Sequence, residues 1–170
     1  MVSTPPAIQL TPLQEADLPV LHEWINDREL VELSSAFKPV SAAEHRHWFD
    51  TIRNRADTRI FAIRPQGEAT LLGTCQLLKI SPVEQSAELQ IRIGRADARG
   101  RGLGTEAVRQ LVAYGFDTLG LRRIALHVFA TNIAAQRAYE KAGFVREGVQ
   151  QDAAMIGGKA VDAVLMAIVK

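Results

Sequence analysis

The residues best suited to chemistry stand in one short stretch, RGRGLGTEA (residues 99–107), which places three glycines and two arginines ahead of a helical pattern of apolar residues. A glycine-rich turn at a helix N-terminus exposes backbone N–H groups, and the helix dipole adds about half a positive charge there. Arg95, Arg99 and Arg101 crowd this turn, which is unfavourable unless an anion neutralises them. The stretch predicts a phosphate-binding turn, and a plain turn that begins a helix is the alternative.

Two phosphate-binding motifs are excluded by the residues present. The dinucleotide pattern G-x-G-x-x-G would require glycine at position 105, where Thr105 stands, and no acidic residue closes a new strand about 20 residues further on. A Walker A loop would end in Gly-Lys-Ser/Thr, and this ending is missing. The expected anion is therefore bound in neither of these two ways.

The glycine stretch and a second pattern stand in order along the chain, separated by a helix and a strand. RGRGLG (residues 99–104) fits Q/R-x-x-G-x-G/A, and NIAAQRAYEKAGF (residues 132–144) fits N-x-x-A-x-x-x-Y-x-K-x-G-F. With both patterns the chain resembles the GNAT superfamily of acyl-CoA-dependent N-acyltransferases over residues 8–169. The resemblance has the character of the ribosomal-protein N-terminal (RimJ/RimL-like) branch, which also contains acetyltransferases of amino sugars, antibiotics and polyamines.

The resemblance implies an acetyl-CoA-dependent N-acetyltransferase that transfers an acetyl group to a primary amine by direct attack in a ternary complex. The acceptor is expected to be a small molecule of the amino sugar, polyamine or antibiotic type, or a protein N-terminus. The alternative from another class is a domain that binds or senses acyl-CoA without catalysis. Homodimers are common among such proteins, but no feature of this sequence establishes one.

The resemblance also assigns residues to acetyl-CoA, the expected co-substrate. In the family, main-chain groups of the strand before the loop pair with the pantetheine arm and polarise the acetyl carbonyl, which here implicates Ile91 and Ile93. Asn132 is expected to contact the cofactor arm, and its alternative role is a helix cap. The implied cofactor-binding set is Ile91, Ile93, Arg99, Gly100, Arg101, Gly102, Leu103, Gly104, Thr105, Asn132 and Ala135.

Two side chains are implied in catalysis. Tyr139 is the family's proton donor, because a phenol of pKa about 10 keeps its proton at neutral pH and can pass it to a departing thiolate. The alternative for Tyr139 is a core tyrosine. Glu88 stands where some family members place a general-base glutamate, and its alternative is an ion pair with an arginine of a neighbouring strand. Glu32, His127 and Glu44 are further candidates for the base.

The acceptor pocket is expected between the first two helices and the last hairpin. The candidate substrate-binding residues there are Trp24, Asn26, Glu32 and Trp48. His45 and His47 are two apart on a predicted helix and cannot share a face, so no metal site is expected from them.

The elements that position these residues follow from capping and periodicity. Asp17 is expected to cap a helix that ends near Asn26, and a capping box in SAAE (residues 41–44) opens the next helix. The segment AELQIRIG (residues 87–94) alternates strictly, which predicts a strand with Glu88, Gln90 and Arg92 on one face. A helical stripe of apolar residues then runs over residues 103–119.

The predicted element order is β, α, α, β, β, β, α, β, α, β, β, which indicates an α/β sandwich with a mixed sheet. The resemblance implies a single-domain GNAT fold over residues 1–170, with its core in residues 8–169. In that fold a mixed, mostly antiparallel central sheet is flanked by helices. The cofactor-binding loop lies between a central strand and the main helix.

Composition excludes several classes of protein. The chain has 170 residues, of which 47% are hydrophobic, and a formal charge of +1 that argues against nucleic acid or a membrane surface as partner. The only cysteine, Cys75, stands in an apolar run and is expected to be a buried, inert thiol. The N-terminal MVSTPPAIQL lacks the regions of a signal peptide, and no apolar stretch approaches the roughly 18 residues of a bilayer span. A cytoplasmic location is expected.

Overall fold

Seven strands and five α-helices form the part of the chain that the computed structural model describes, which is residue 4 and residues 6–170. Residues 1–3 and 5 lie outside the described residues. They belong to the predicted domain and to the N-terminal segment that lacks the pattern of a signal peptide. The elements are β1 (Ile8–Pro12), α1 (Leu18–Ile25), α2 (Arg28–Glu32), α3 (Ala42–Ile52), β2 (Arg59–Pro65), β3 (Gly73–Ser81), β4 (Ser86–Ile93), α4 (Leu103–Ala113), β5 (Arg123–Phe129), α5 (Ile133–Lys141), β6 (Val145–Ile156) and β7 (Lys159–Val169).

One seven-stranded sheet has the order β1-β2-β3-β4-β5-β7-β6. Every neighbouring pair is antiparallel except β4 and β5, which are parallel and joined by the crossover helix α4. The prediction of a mixed, mostly antiparallel sheet flanked by helices is confirmed.

The two central strands β4 and β5 pair over a short distance and then separate. Residues 86–88 of β4 pair with residues 123–125 of β5, and no pairing continues beyond Glu88 and Ala125. The rest of β4, up to Ile93, therefore has a free backbone edge on the side of β5. Backbone N–H and C=O groups at such an edge require partners, so the fold leaves a place for an extended ligand in the middle of the sheet.

The two faces of the sheet carry different cores, as the alternation of strand residues requires. Ile63 belongs to the main core under α4, with Leu77, Leu89 and Leu111. The neighbouring Ala62 belongs to a smaller core on the other face, under α1 and α3. The smaller core consists of Leu13, Leu21, Phe49, Ala62 and Leu71, with Leu18, Trp24, Trp48 and Ile60 packed against it.

Most helix boundaries agree with the capping signals, with two differences. The capping box of Ser41 and Glu44 is present, and α1 is capped at its C-terminus by Asn26. The short helix α2 was not predicted, although Asp27 caps it by accepting a hydrogen bond from the Leu30 backbone N–H at 3.2 Å. The long helix predicted over residues 103–119 is α-helical only to residue 113 and continues as one turn of π-helix over residues 114–118.

Asp17 occupies the predicted N-cap position of α1, but its carboxylate forms no cap hydrogen bond to that helix. It forms an ion pair with Arg64 instead, because that guanidinium is buried beside it and requires a counter-charge. Among the described residues, no helix combines the length and the apolar character needed to cross a bilayer.

Candidate active site

Two cavities meet at the place where β4 and β5 separate. The loop cleft, of about 540 Å³, is bounded by β4, the glycine loop (residues 99–105), β5 and α5. The helix cavity, of about 470 Å³, is bounded by α1, α3, β3 and β4. Six residues line both cavities and form what we call the junction: Ser34, Gln90, Ile91, Arg92, His127 and Tyr139.

The glycine loop has the backbone of an anion-binding turn. Gly100 and Gly102 have φ angles of +71° and +77°, the left-handed region that glycine adopts without strain. Gly102 is the N-cap of α4 and has no side chain, so it cannot itself accept a side-chain hydrogen bond from the N–H groups of the first turn. Gly100, Gly102, Gly104 and Thr105 line the loop cleft, which therefore fits a phosphate group at the start of α4.

The arginines near this loop have protein partners. Arg99 donates from Nε to the Ile93 carbonyl and from Nη2 to the Gly94 carbonyl, each at 3.1 Å, and so holds the end of β4. Arg95 donates from Nε to Asp97 at 2.9 Å, and this hydrogen bond lowers the pKa of the Asp97 carboxyl. Asp97 therefore compensates the charge of Arg95, whereas Arg99 donates only to carbonyls and also lines the loop cleft. The need of the crowded arginines for an external anion stays a prediction.

The other cofactor residues implied by the resemblance divide into two groups. Ile91, Ile93, Asn132 and Ala135 line the loop cleft, as expected of cofactor contacts. Asn132 also caps α5, because its Oδ1 accepts a hydrogen bond from the Ala135 N–H at 3.2 Å.

Arg101 and Leu103 lie outside the residues that line the loop cleft. The Leu103 side chain is 7% exposed and packs in the main core, so only its backbone faces the loop.

Tyr139 lies at the junction on α5 and is 7% exposed. Its ring packs against Phe144, with the ring centroids 5.9 Å apart. Burial raises the pKa of the Tyr139 phenol to about 12. The hydroxyl is therefore protonated at neutral pH in a position that both cavities reach, and the same side chain belongs to the core, so the two roles weighed for it are compatible.

The carboxylates considered as general bases lie elsewhere. Glu88 lines neither cavity, and its Oε1 accepts a hydrogen bond from Lys79 Nζ on β3 at 2.8 Å. This geometry favours the ion-pair role of Glu88 over the base role, with lysine rather than arginine as partner. Glu32 lines neither cavity and pairs with Arg28 at 3.1 Å. Glu44 is used in the capping box of α3.

Only two of the four residues expected around the acceptor line a cavity. Trp24 and Trp48 line the helix cavity, whereas Asn26 and Glu32 line neither cavity. The Asn26 side chain accepts a hydrogen bond from the Val40 N–H at 2.9 Å and donates to the Val40 and His22 carbonyls, each at 3.0 Å. Its amide therefore fixes the segment before α3 against α1.

The helix cavity also contains polar residues outside the candidate substrate-binding set given above. Gln76 donates from Nε2 to Gln90 Oε1 at 2.8 Å, while Gln76 Oε1 is buried without a partner among the described residues. His45 stacks on Trp48 with ring centroids 5.1 Å apart, and its pKa is lowered mainly by burial and further by the charge of His22. Arg92 extends into both cavities from β4. The alternation that placed Gln90 and Arg92 on one strand face was the signal for this set.

No ligand set for a metal stands out in the described part of the chain, where no three or more His, Cys, Asp or Glu side chains are grouped to hold an ion.

A family model for the acetyltransferase (GNAT) domain matches residues 8–145. The chain belongs to the GNAT acetyltransferase family. It is 28% identical over 168 residues to a spermidine N(1)-acetyltransferase of Vibrio cholerae, covering 96% of this chain and 93% of that protein. It is 30% identical over 167 residues to the Escherichia coli K12 spermidine N(1)-acetyltransferase, covering 95% and 86%. The crystal structure of the Vibrio cholerae enzyme in complex with CoA and spermine superimposes with a TM-score of 0.87 and covers 95% of each chain.

This GNAT protein is thus an acetyl-CoA-dependent N-acetyltransferase, as the two motifs predicted, and its fold is the predicted one. The relatives of this chain do not specifically support the expected likeness to the ribosomal branch. A putative ribosomal N-acetyltransferase of Bacillus subtilis is 29% identical over 103 residues, covering 61% of this chain and 56% of that protein. The relatives therefore include spermidine acetyltransferases and a putative ribosomal acetyltransferase.

Proposed function

We propose that this acetyltransferase acetylates the primary amine of a small molecule by direct attack within a ternary complex. The observation that carries the proposal is the meeting of two cavities at Tyr139. The loop cleft can hold acetyl-CoA while the helix cavity holds the amine, so both reactants reach the junction from different sides. Such positioning replaces an encounter in solution and supplies a large part of the rate enhancement.

The residues of the loop cleft fit acetyl-CoA, which supplies an activated acetyl thioester. Gly100, Gly102, Gly104 and Thr105 would hold the pyrophosphate through backbone N–H groups at the start of α4. The free edge of β4 beyond Glu88 would pair with the pantetheine arm in the manner of an added strand. Both contacts would be made by main-chain groups. They therefore depend on the shape of the backbone and do not require the side chains of Arg95 and Arg99, which form hydrogen bonds within the protein.

Two protons must move when the new C–N bond forms and the C–S bond breaks. One leaves the attacking nitrogen, and one is required by the departing sulfur. We assign the second to Tyr139, whose raised pKa keeps the phenol protonated at neutral pH. Because the same burial makes a phenolate costly, we expect donation by Tyr139 to be coupled to release of the amine proton.

His127 is the group we assign to the amine proton. A primary amine of pKa about 10.4 is free base in only about one part in 2,500 at pH 7, so a base accelerates attack. His127 projects from β5 to the junction and lines both cavities, which none of Glu88, Glu32 and Glu44 does. A neutral imidazole nitrogen within reach of the amine can act as a general base.

Among small-molecule amines, polyamines are one candidate class of acceptor. The similarity to spermidine acetyltransferases over nearly the whole chain supports them. Protein N-termini are supported more weakly, by the shorter match to a putative ribosomal acetyltransferase. A non-catalytic acyl-CoA sensor is the alternative to all of these, and the protonated Tyr139 at the junction argues against it.

The test is release of CoA thiol from acetyl-CoA in the presence of polyamines, aminoglycosides, nucleotide-linked amino sugars and ribosomal-protein N-terminal peptides. Turnover with one class identifies the acceptor. Tyr139→Phe should then lower kcat by roughly 10²-fold or more while the affinity for acetyl-CoA is kept. Tight acetyl-CoA binding without release for any amine, in a broad panel, would instead favour the sensor.

A further inference from the structure

Among the described residues, one arginine and no carboxylate line the helix cavity. Arg92 lies on β4 in register with Thr74 of β3, and its guanidinium lines the cavity and the junction. The charged or titratable side chains in the cavity lining are Arg92, His45, His127, Tyr139 and Cys75. No aspartate or glutamate lines it among the described residues.

The Arg92 guanidinium has little compensation from the protein. Its Nη2 donates to Ser34 Oγ at 3.2 Å, and within residues 6–170 no carboxylate forms an ion pair with it. Burial lowers the pKa of Arg92, with no neighbouring charge acting on it. A half-buried cation with N–H groups to spare is costly to maintain unless a ligand brings an anion.

From these observations we propose that Arg92 binds a carboxylate or phosphate group of the acceptor, so that the substrate is an amine that also carries an anionic group. The inference rests on the proposed function and specifies the substrate of the same site. Guanidinium is suited to this role because its planar N–H groups bind two oxygens of one anion. Ser34 and Thr74, which also line the helix cavity, place hydroxyls where they can complete the anion's shell.

The cofactor's own phosphates do not account for Arg92. The anion-binding backbone of residues 99–105 lines the loop cleft and contributes nothing to the helix cavity. Arg92 lines both cavities at the junction, and among the described residues it is the one arginine in the lining of the helix cavity. The enzyme therefore has two separate places for negative charge, one for the pyrophosphate and one for the acceptor.

The same charge pattern opposes a polyamine. Spermidine brings further ammonium groups that require carboxylates, and here they would face Arg92 in a cavity without a lining acid among the described residues. Like charges in a partly dehydrated site repel each other strongly. We expect this enzyme to differ in acceptor from the spermidine acetyltransferases to which it is similar.

The first experiment compares amines that differ only in an anionic group. The pairs are ethanolamine with phosphoethanolamine, cadaverine with lysine, and glucosamine with glucosamine 6-phosphate. We expect the anionic member of at least one pair to exceed its partner in kcat/KM by about tenfold or more. Equal rates within every pair, or a higher kcat/KM for spermidine than for every anionic amine, would overturn the inference and leave the acetyltransferase activity intact.

The second experiment changes the arginine. Arg92→Gln should lower the ratio of kcat/KM between the anionic amine and its partner by at least about tenfold, mainly through a raised KM for the anionic amine. Arg92→Lys should retain part of this preference. The matched control is Arg122→Gln, which removes an exposed arginine that lines neither cavity. An unchanged preference in Arg92→Gln would contradict the role of Arg92. A preference for succinyl-CoA over acetyl-CoA that Arg92→Gln abolishes would assign the anion to the acyl group and also overturn the inference.

A third measurement does not depend on turnover. Phosphoethanolamine is titrated calorimetrically into the enzyme saturated with CoA, and again into Arg92→Gln and Arg122→Gln. Saturable binding that only Arg92→Gln loses would support the anion site even if no amine were acetylated, in which case the proposed function alone would fail. Equal binding, or none, in all three proteins would refute the site.

Discussion

Arg64 of β2 and Asp17 at the start of α1 form a buried ion pair, in which Arg64 Nη2 donates to Asp17 Oδ2 at 2.6 Å. Both side chains are less than a tenth exposed. The same guanidinium donates to Thr11 Oγ1 at 2.9 Å and to the Ala69 carbonyl at 2.6 Å. One arginine of β2 therefore ties β1 and the start of the helix that carries Trp24 to each other.

We expect Asp17→Ala to lower the free energy of unfolding by about 3–5 kcal/mol, because the Arg64 charge is left buried without its partner. Urea unfolding at neutral pH measures the loss. Glu147→Ala is the control, since it breaks an exposed ion pair with Arg123 and should leave the unfolding midpoint unchanged. Equal losses in the two variants would show that the burial of the Asp17 pair has no special effect.

The glycine loop can be tested with two matched glycines. Gly100 and Gly67 both have left-handed φ angles, +71° and +77°, and open space where a Cβ would lie. Gly100→Ala and Gly67→Ala should each cost stability by about 1–2 kcal/mol, since an alanine there is strained. Only Gly100→Ala, which deforms the anion-binding backbone, should raise the KM for acetyl-CoA, by roughly tenfold.

Steady-state kinetics at saturating amine, paired with thermal unfolding, separates the two effects. A KM that rises equally in both glycine variants would mean that general destabilisation, and not the loop, causes the change.

The base assignment predicts a difference between His127 and Glu88. His127→Asn should lower kcat/KM for the amine by about 10²-fold at pH 7. The deficit should shrink as the pH approaches 10, because the free-base fraction of the amine increases without help. Glu88→Gln should stay within about twofold of the wild type, since Glu88 pairs with Lys79 outside both cavities. A large loss in Glu88→Gln with little loss in His127→Asn would reverse the assignment.

Local signals allowed much of the fold to be predicted from the sequence. The capping box of Ser41, the alternation of residues 87–94 and the glycine before α4 depend on neighbours within a few positions, and each is found in the structure. The loop and the segment around Tyr139 were recognisable for the same reason, because their spacing is a local property of the chain.

The partners of charged and polar side chains could not be predicted in this way. Lys79 meets Glu88 because β3 and β4 are neighbours, and Arg99 turns back to carbonyls at the end of β4. These contacts depend on the three-dimensional register and compete with functional roles that the sequence pattern allows equally. Arg92 was placed on the correct strand face, but only the structure shows that no carboxylate of residues 6–170 pairs with it.

Cys75 should make the stability of the protein depend on alkaline pH. The thiol is buried, and burial raises its pKa from 9.0 to about 12. Between these values the unfolded chain loses the thiol proton while the folded protein keeps it, so stability falls as the pH rises above about 9, by up to about 1.4 kcal/mol per pH unit. In Cys75→Ala this contribution is missing. Urea unfolding between pH 7 and 10.5 should show a stability gap between wild type and variant that is constant below pH 8.5 and narrows above it. A gap that stays constant throughout would mean that the thiol ionises equally in the folded and unfolded states.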